Sequence, residues 1–271
     1  MTPRVITFDI ETQKEFAEVG GVHNRHLLGI SVIGAHDSST DRFLTFMEPE
    51  VLAFATLLKQ ADLVIGFNNK HFDYPVLQPY IPLDTTKLPT LDLMEDLEHI
   101  LGHRVSLDSC AEGTLGRKKS GHGLEAIQWY RQGKFDLLKK YCLDDVRLTR
   151  DLYLYGKEHG SISFMGKDGS KRTVPVAWGG GAVDRAKVRA SLEEALRKGW
   201  RVEIEYVTPR DGGFERNRRK IDIIRMRGDA IEAYCHLRQD TRRFDADRIT
   251  DVRMLDEATN PGLAVGQHAL L

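Results

Sequence analysis

Val5-Ile-Thr-Phe-Asp-Ile-Glu-Thr12 is an apolar run near the start of the chain into which two carboxylates, Asp9 and Glu11, are set. It reads as a central strand. Side chains alternate across a strand, so Asp9 and Glu11 share one face and Phe8 and Ile10 the other. Two acids looking into one space are costly unless cations sit between them, and oxygen donors of this kind suit Mg²⁺ or Mn²⁺. With 40 acidic residues among 271, an Asp-x-Glu is expected about once by chance, so the pair carries weight only if further acids converge on it.

A chain of 271 residues exceeds the commonest domain size and predicts two domains. The formal net charge of −1 predicts no bulk attraction to polyanions, so any nucleic-acid contact must come from local clustering. Residues 184–271 hold 18 Lys and Arg against 16 Asp and Glu, and the earlier residues hold 21 against 24. Cys110, Cys142 and Cys235 form no CxxC spacing, which predicts a reducing compartment and no zinc site. No apolar leader and no run of membrane-spanning length is seen, so a cytoplasmic location without membrane contact is expected.

Beyond the first strand, Leu27 to Ala35 and Arg42 to Met47 are β-rich and separated by a turn-like stretch, which predicts an antiparallel meander. Glu48 and Pro49 open a helix striped by Val51, Phe54, Ala55 and Leu58, and Asp62 to Gly66 returns as a short buried strand. This order implies a mixed sheet. Gly66-Phe-Asn-Asn-Lys-His-Phe-Asp73 then forms a loop at a strand's C-terminal end, where ligand groups gather in open α/β sheets. Taken alone, Asp73 reads as a helix cap and Asn68 as a turn residue. Helical patterns cover Leu91 to Leu101 and Ser106 to Leu115. A glycine-rich loop follows with Arg117, Lys118 and Lys119, either a solvated connection or a phosphate contact. Helices over Leu124 to Arg131 and Lys134 to Tyr155 come next, the second placing Tyr141 and Asp145 four apart on one face.

In this order the segments resemble the DEDD superfamily of 3′-5′ exonucleases, most closely its tyrosine subclass (DEDDy), which includes the proofreading domain of B-family DNA polymerases. Phe8-Asp9-Ile10-Glu11-Thr12 matches the first motif of that family. Gly66-Phe67-Asn68 with Phe72-Asp73 and Pro75 matches the second, and Tyr141-x-x-x-Asp145 the third. The resemblance spans about residues 1–160 and implies a ribonuclease-H-like α/β fold. It implies two divalent ions, Mg²⁺ or Mn²⁺, held by Asp9, Glu11, Asp73 and Asp145, with Asp9 bridging both ions. Tyr141 would aim the attacking water. Asn68 and Phe72 join the expected contacts to single-stranded DNA. No polymerase follows, so the module is expected to act alone or with a helicase or repair partner.

Ser161 to Val176 reads as a hairpin attached to the first domain, giving that domain residues 1–177. Trp178-Gly-Gly-Gly181 reads as the core of a linker over 178–183. A helix capped by Asp184 and short strands at Arg201 to Val207, Asn217 to Arg225, Ala230 to His236 and Thr241 to Phe244 predict a small β-barrel domain over 184–258, before a tail at 259–271. Ala233-Tyr-Cys-His-Leu-Arg238 and Arg242-Arg-Phe-Asp-Ala-Asp-Arg-Ile249 resemble a WYL domain, an Sm-like barrel, although the namesake triplet falls on Asp229-Ala230-Ile231. That resemblance points to Tyr206, His236, Arg238 and Arg242 as nucleic-acid or ligand contacts. Arg216, Arg218, Arg219 and Lys220 form the densest basic run, either a grip on phosphates or a guarded strand edge. The leading expectation is a 3′-5′ exodeoxyribonuclease. Its rivals are an exoribonuclease with the same chemistry and a non-catalytic, ligand-sensing regulator.

Overall fold

Strand β1 (Val5–Thr12) sits at the centre of the first sheet because both of its faces are covered. In the computed structural model, which describes residues 3–119, 121, 123–180, 183–210 and 213–259, β2 (Ile30–Asp37) pairs antiparallel on one side of β1 and β4 (Leu63–Gly66) parallel on the other. With β3 (Arg42–Met47) and β5 (Thr90–Asp92) the order is β3-β2-β1-β4-β5. The sheet is mixed, as the strand–hairpin–helix–strand order predicts.

Ile6, Phe8 and Ile10 point to one side and pack against α1 (Val51–Leu58) and α2 (Asp73–Leu77) through Phe54, Leu58, Tyr74 and Leu77. The other side, carrying Asp9 and Glu11, receives the long helix α6 (Phe135–His159). Close approach there depends on Gly34, the β2 partner of Asp9: a Cβ at that position would lie 2.9 Å from Cys142 Sγ and 3.1 Å from Val146 Cγ2. Residue 34 must therefore lack a side chain for α6 to reach β1. The helices α3 (Leu93–Leu101) and α4 (Leu107–Leu115) close a second apolar cluster with α6, and α5 (Gly123–Arg131) lies against the start of α6.

Two local expectations shift. The strand expected from Leu27 begins at Ile30, because Gly29 at φ 71° cannot continue an extended run. Residues 16–27 instead form 3₁₀ turns, tied to α5 by an Arg131–Glu18 ion pair of 2.5 Å. Leu91, read as the start of a helix, belongs to β5; Asp92 caps α3 by accepting from the Met94 and Glu95 amides.

The hairpin of β6 (Ser161–Met165) and β7 (Lys171–Pro175) does attach to the first core, with Ile162, Phe164 and Val174 buried in it. The glycine-rich stretch after it departs from a linker. Trp178 is 1% exposed, lies against Gly156 of α6, and donates from Nε1 to Asp96 Oδ2 at 2.9 Å. The large apolar ring overrides its glycine neighbours. Residues 181 and 182, and the tail beyond 259, lie outside the described residues.

The second domain packs α7 (Arg185–Lys198) on five antiparallel strands in the order β11-β10-β9-β8-β12: β8 (Trp200–Arg210), β9 (Gly213–Arg227), β10 (Ala230–Cys235), β11 (Asp240–Asp245) and β12 (Ile249–Ala258). All five strands and α7 contribute to one interior, as the barrel reading requires, though β12 has no counterpart among the expected strands. The two domains share a sheet, β7 pairing parallel with β9 at Thr173 and Gly213, and Val207 and Phe214 join the first domain's apolar cluster. They also meet at Asp96, whose second oxygen accepts from Arg185 Nη2 at 3.2 Å, while Arg185 Nη1 donates to the Asp247 and Ile249 carbonyls. Substituting Gly34→Val should destabilise the protein by about 1–3 kcal/mol in urea denaturation through overpacking against α6, whereas Gly29→Ala, which touches no helix, should cost about 1 kcal/mol from backbone strain. Equal, negligible costs at both sites would contradict this account of the helix–sheet packing.

Candidate metal centre and nucleic-acid cleft

Three elements deliver the acidic residues. Asp9 and Glu11 come from the α6-facing side of β1, Asp73 from the first turn of α2, and Tyr141 and Asp145 from one face of α6. One carboxylate oxygen from each of Asp9, Glu11 and Asp145 lies within 4.8 Å of the others. Asp73 borders the same cleft, and its Oδ1 accepts the Ile10 amide at 2.8 Å where β4 has ended and left that part of β1 without a strand partner on that side. Asp73 is therefore not a helix cap: its carboxylate turns away from α2 and ties the loop to β1.

Burial sets the electrostatics. It raises the Asp9 carboxyl to about 7, with the Asp145 charge adding to the effect. Burial first, then neighbouring acids, also raises Glu11 and Asp73 well above the ordinary carboxylate range. Asp145 is raised by burial as well, against the pull of Lys119. Tyr141 is pushed up by burial and by Asp145 and Glu11, so its hydroxyl keeps its proton and can orient a partner but not abstract a proton. Asp145 Oδ1 is buried without a hydrogen-bond partner. A cluster of hard oxygen donors with an orphaned buried carboxylate oxygen fits a Mg²⁺ or Mn²⁺ site.

The cleft beside this cluster measures about 510 Å³, within the usual range for small-ligand sites. Its other wall is apolar: Phe16, Leu28, Phe67, Phe72, Leu124 and Ile127. Phe72 meets Phe16 edge-on at 6.1 Å, and Leu124 is 58% exposed. Of these residues only Phe67 and Phe72 fall within the sequence motifs, since the wall is assembled from segments that meet only in the fold.

The basic residues divide. Lys119 enters the cleft, its Nζ 2.6 Å from Asp145 Oδ2 and 5.7 Å from the centre of the Tyr141 ring. Arg117 and Lys118 point outward to Asp151 and Glu112. Asn68 does not line the cleft. At φ 74° it is a left-handed turn residue whose amide donates to Asp92 Oδ1 and whose side-chain oxygen accepts from Arg104. Asp92, missed by the motif reading, also accepts the Lys70 amide at 3.0 Å and so fixes the loop leading to Asp73. Its position before a helical run is the N-cap signal that marks it.

In the second domain three expected contacts are structural. Tyr206 is 8% exposed, its ring edge-on to Phe244 and its hydroxyl accepting the Asp245 amide. Arg219 is 6% exposed over those two rings and donates to Thr208 Oγ1. Arg216 is half-buried and donates to the Val176 carbonyl, joining the domains. A side chain spent inside the protein is not available to a phosphate. His236 lies 3.0 Å from Asp222 Oδ2, an acid that Arg201 also holds. Arg218 and Lys220 stay exposed, at 3.8 Å from Glu205 and 3.9 Å from Glu257. Arg238 and Arg242 are exposed, and Arg242 joins Arg225, Arg227 and Arg243 around a groove of about 420 Å³. Arg225 pairs there with Glu232, the one acid lining that groove among the described residues.

Residues 6–155 match the sequence model of a family described as the RNase_H superfamily, and residues 187–254 match that of the WYL domain. No curated protein matches. One similar solved structure is the proteasome accessory factor B/C (PafBC) of Arthrobacter aurescens, 21% identical, with 60% of this chain and 22% of that one covered at a TM-score of 0.28. The match thus takes in less than a quarter of that protein, and an overlap so loose carries no argument. No helix among the described residues is long and apolar enough to cross a membrane.

The raised acid pKa values have a stability consequence. A carboxyl at about 7 in the folded state and about 4 in the unfolded state stabilises the fold below the lower value and loses that contribution as pH rises through the higher one. With a chelator present, thermal melting should therefore occur at lower temperature at pH 8 than at pH 5.5, and Asp9→Asn should flatten that difference. A rise in melting temperature over this range, with no effect of the substitution, would contradict the electrostatics.

Proposed function

Because the chain belongs to the RNase_H superfamily through residues 6–155 and carries a WYL domain behind it, we propose that it is a two-metal-ion 3′-5′ exonuclease acting on single-stranded DNA. The observation that carries this reading is the convergence of Asp9, Glu11 and Asp145 within 4.8 Å, with Asp73 bordering the same cleft. A protein that only bound nucleic acid would gain nothing from four mutually repelling carboxylates, three of them buried and Asp9 half-buried.

Asp9, Glu11 and Asp145 would hold one Mg²⁺ or Mn²⁺, and Asp9 with Asp73 a second. Two such ions, when bound, stabilise the attacking and leaving oxygens of an in-line phosphoryl displacement. The protein's own groups do the rest. Tyr141, protonated and on the same face of α6 as Asp145, orients the attacking water. Phe16, Phe72 and the exposed Leu124 offer an unpaired terminal base an apolar surface, which supports a single-stranded end over a duplex. The order of the three motifs supports 3′-5′ polarity. In the second domain Arg238, Arg242 and Arg243 supply exposed charge for the phosphates further along the strand.

Incubating 5′-labelled single-stranded DNA and a matched RNA with the protein and Mg²⁺ or Mn²⁺ tests the reading. A ladder shortening from the 3′ end is expected on DNA, abolished by Asp9→Ala and slowed about a hundredfold by Tyr141→Phe, the scale of a misplaced reactant. Intact DNA in every lane would overturn it, and a ladder on RNA alone would transfer the same chemistry to an exoribonuclease. Separately, Arg242→Glu with Arg243→Glu should weaken single-strand binding and reduce its log–log salt slope by about 0.7 for each phosphate no longer neutralised, and an unchanged slope would remove the second domain from the grip.

A further inference from the structure

Among the described residues Lys119 is the cation bonded to the acidic cluster, and its charge stands beside the oxygens that divalent ions would share. Its Nζ lies 2.6 Å from Asp145 Oδ2, while Oδ1 of the same carboxylate is buried without a partner. Asp145 is thus held on one oxygen by a flexible ammonium and left open on the other. The root of the lysine is anchored, since its backbone amide donates to Asp108 Oδ1 at 2.8 Å. Its side chain keeps 27% of its surface exposed, against 3% for Asp145, so the ammonium has solvent to retreat into. Arg117 and Lys118 are engaged outward, so of these three basic residues Lys119 alone is committed to the cavity.

We propose that Lys119 is an exchangeable internal counter-ion: its ammonium holds Asp145 while the site lacks divalent ions, and it passes to the substrate's phosphate when they enter. The proposal rests on the two-ion reading above. A metal about 2.1 Å from the open Oδ1 and an ammonium 2.6 Å from Oδ2 would face each other as like charges across one carboxylate, so each weakens the other's hold. Charge balance gives the direction of the exchange. Once bound divalent ions have driven all four carboxylates to ionise, they and one ammonium sum to three negative charges, and two divalent ions overshoot that by one. A phosphodiester, with its single negative charge, restores neutrality beside the displaced lysine. A lysine stem of four carbons can make that move where a rigid group could not.

Two measurements on the full chain test it, with wild type, Lys119→Met and Lys119→Arg compared throughout. The first is calorimetric titration with MnCl₂ alone. The second is binding, at saturating Mn²⁺, of a single-stranded oligonucleotide whose 3′-terminal phosphorothioates resist cleavage. With its competitor removed, Lys119→Met should bind Mn²⁺ about tenfold more tightly yet bind the oligonucleotide about tenfold more weakly; Lys119→Arg, which keeps the charge, should stay within about threefold of wild type in both. Opposite signs in one variant separate exchange from structural damage, which would weaken both. Wild-type or weaker Mn²⁺ affinity in Lys119→Met, beside normal binding by wild type, would overturn the exchange and leave the two-ion reading standing. Unchanged oligonucleotide affinity would overturn the transfer to phosphate. Absence of Mn²⁺ binding by the wild type would overturn the two-ion reading, and the exchange with it.

Discussion

Helix α6 reaches the sheet only because residue 34 is a glycine. Gly34 sits opposite Asp9 on β2, and any side chain there would collide with Cys142 and Val146. That close approach sets how far Tyr141 and Asp145 stand from Asp9 and Glu11, and so whether three carboxylates share one space. The rest of the first domain serves that geometry. Apolar residues on the far face of β1 fix the strand against α1 and α2, and Asp73 reaches back from α2 to the Ile10 amide. Asp92 in turn holds the loop before Asp73 by its backbone amides.

The acidic residues were legible in the sequence because they lie on elements with strong periodic signals. An Asp-x-Glu in an apolar run and a Tyr-x-x-x-Asp on a long amphipathic helix declare which side chains share a face. The motif order then associates them. What escaped is what depends on approach between distant segments. Gly34 gives no sign that a helix lies over it, and the apolar wall joins residues 16 and 28 to residues 67, 72, 124 and 127 only through folding. Trp178 shows the opposite failure. Three glycines beside it suggested a linker, yet burying one large ring against Gly156 decides the local structure.

Basic residues were the least legible class. Charge in a sequence says nothing about whether it is spent inside the protein. In the run from Arg216 to Lys220, Arg216 bonds the Val176 carbonyl and Arg219 lies over Tyr206 and Phe244, while Arg218 and Lys220 stay outside. Alternation along β9 accounts for part of that division: Arg218 and Lys220 share the outward face, and Arg219 turns in. Arg216 shares their parity but lies at the seam between the domains. The same seam, where Asp96, Trp178 and Arg185 bond, β7 pairs with β9, and Val207 and Phe214 enter the first apolar cluster, couples the second domain to the first. An interface of that kind can position the second domain's exposed arginines relative to the cleft.

The central claim is that the four carboxylates form one site for two divalent ions. Anomalous scattering from crystals grown with Mn²⁺ tests it without relying on turnover. The account predicts two manganese peaks about 4 Å apart, both touching Asp9, one shared with Glu11 and Asp145 and the other with Asp73. Crystals soaked in millimolar Mn²⁺ with no peak between these side chains would contradict it.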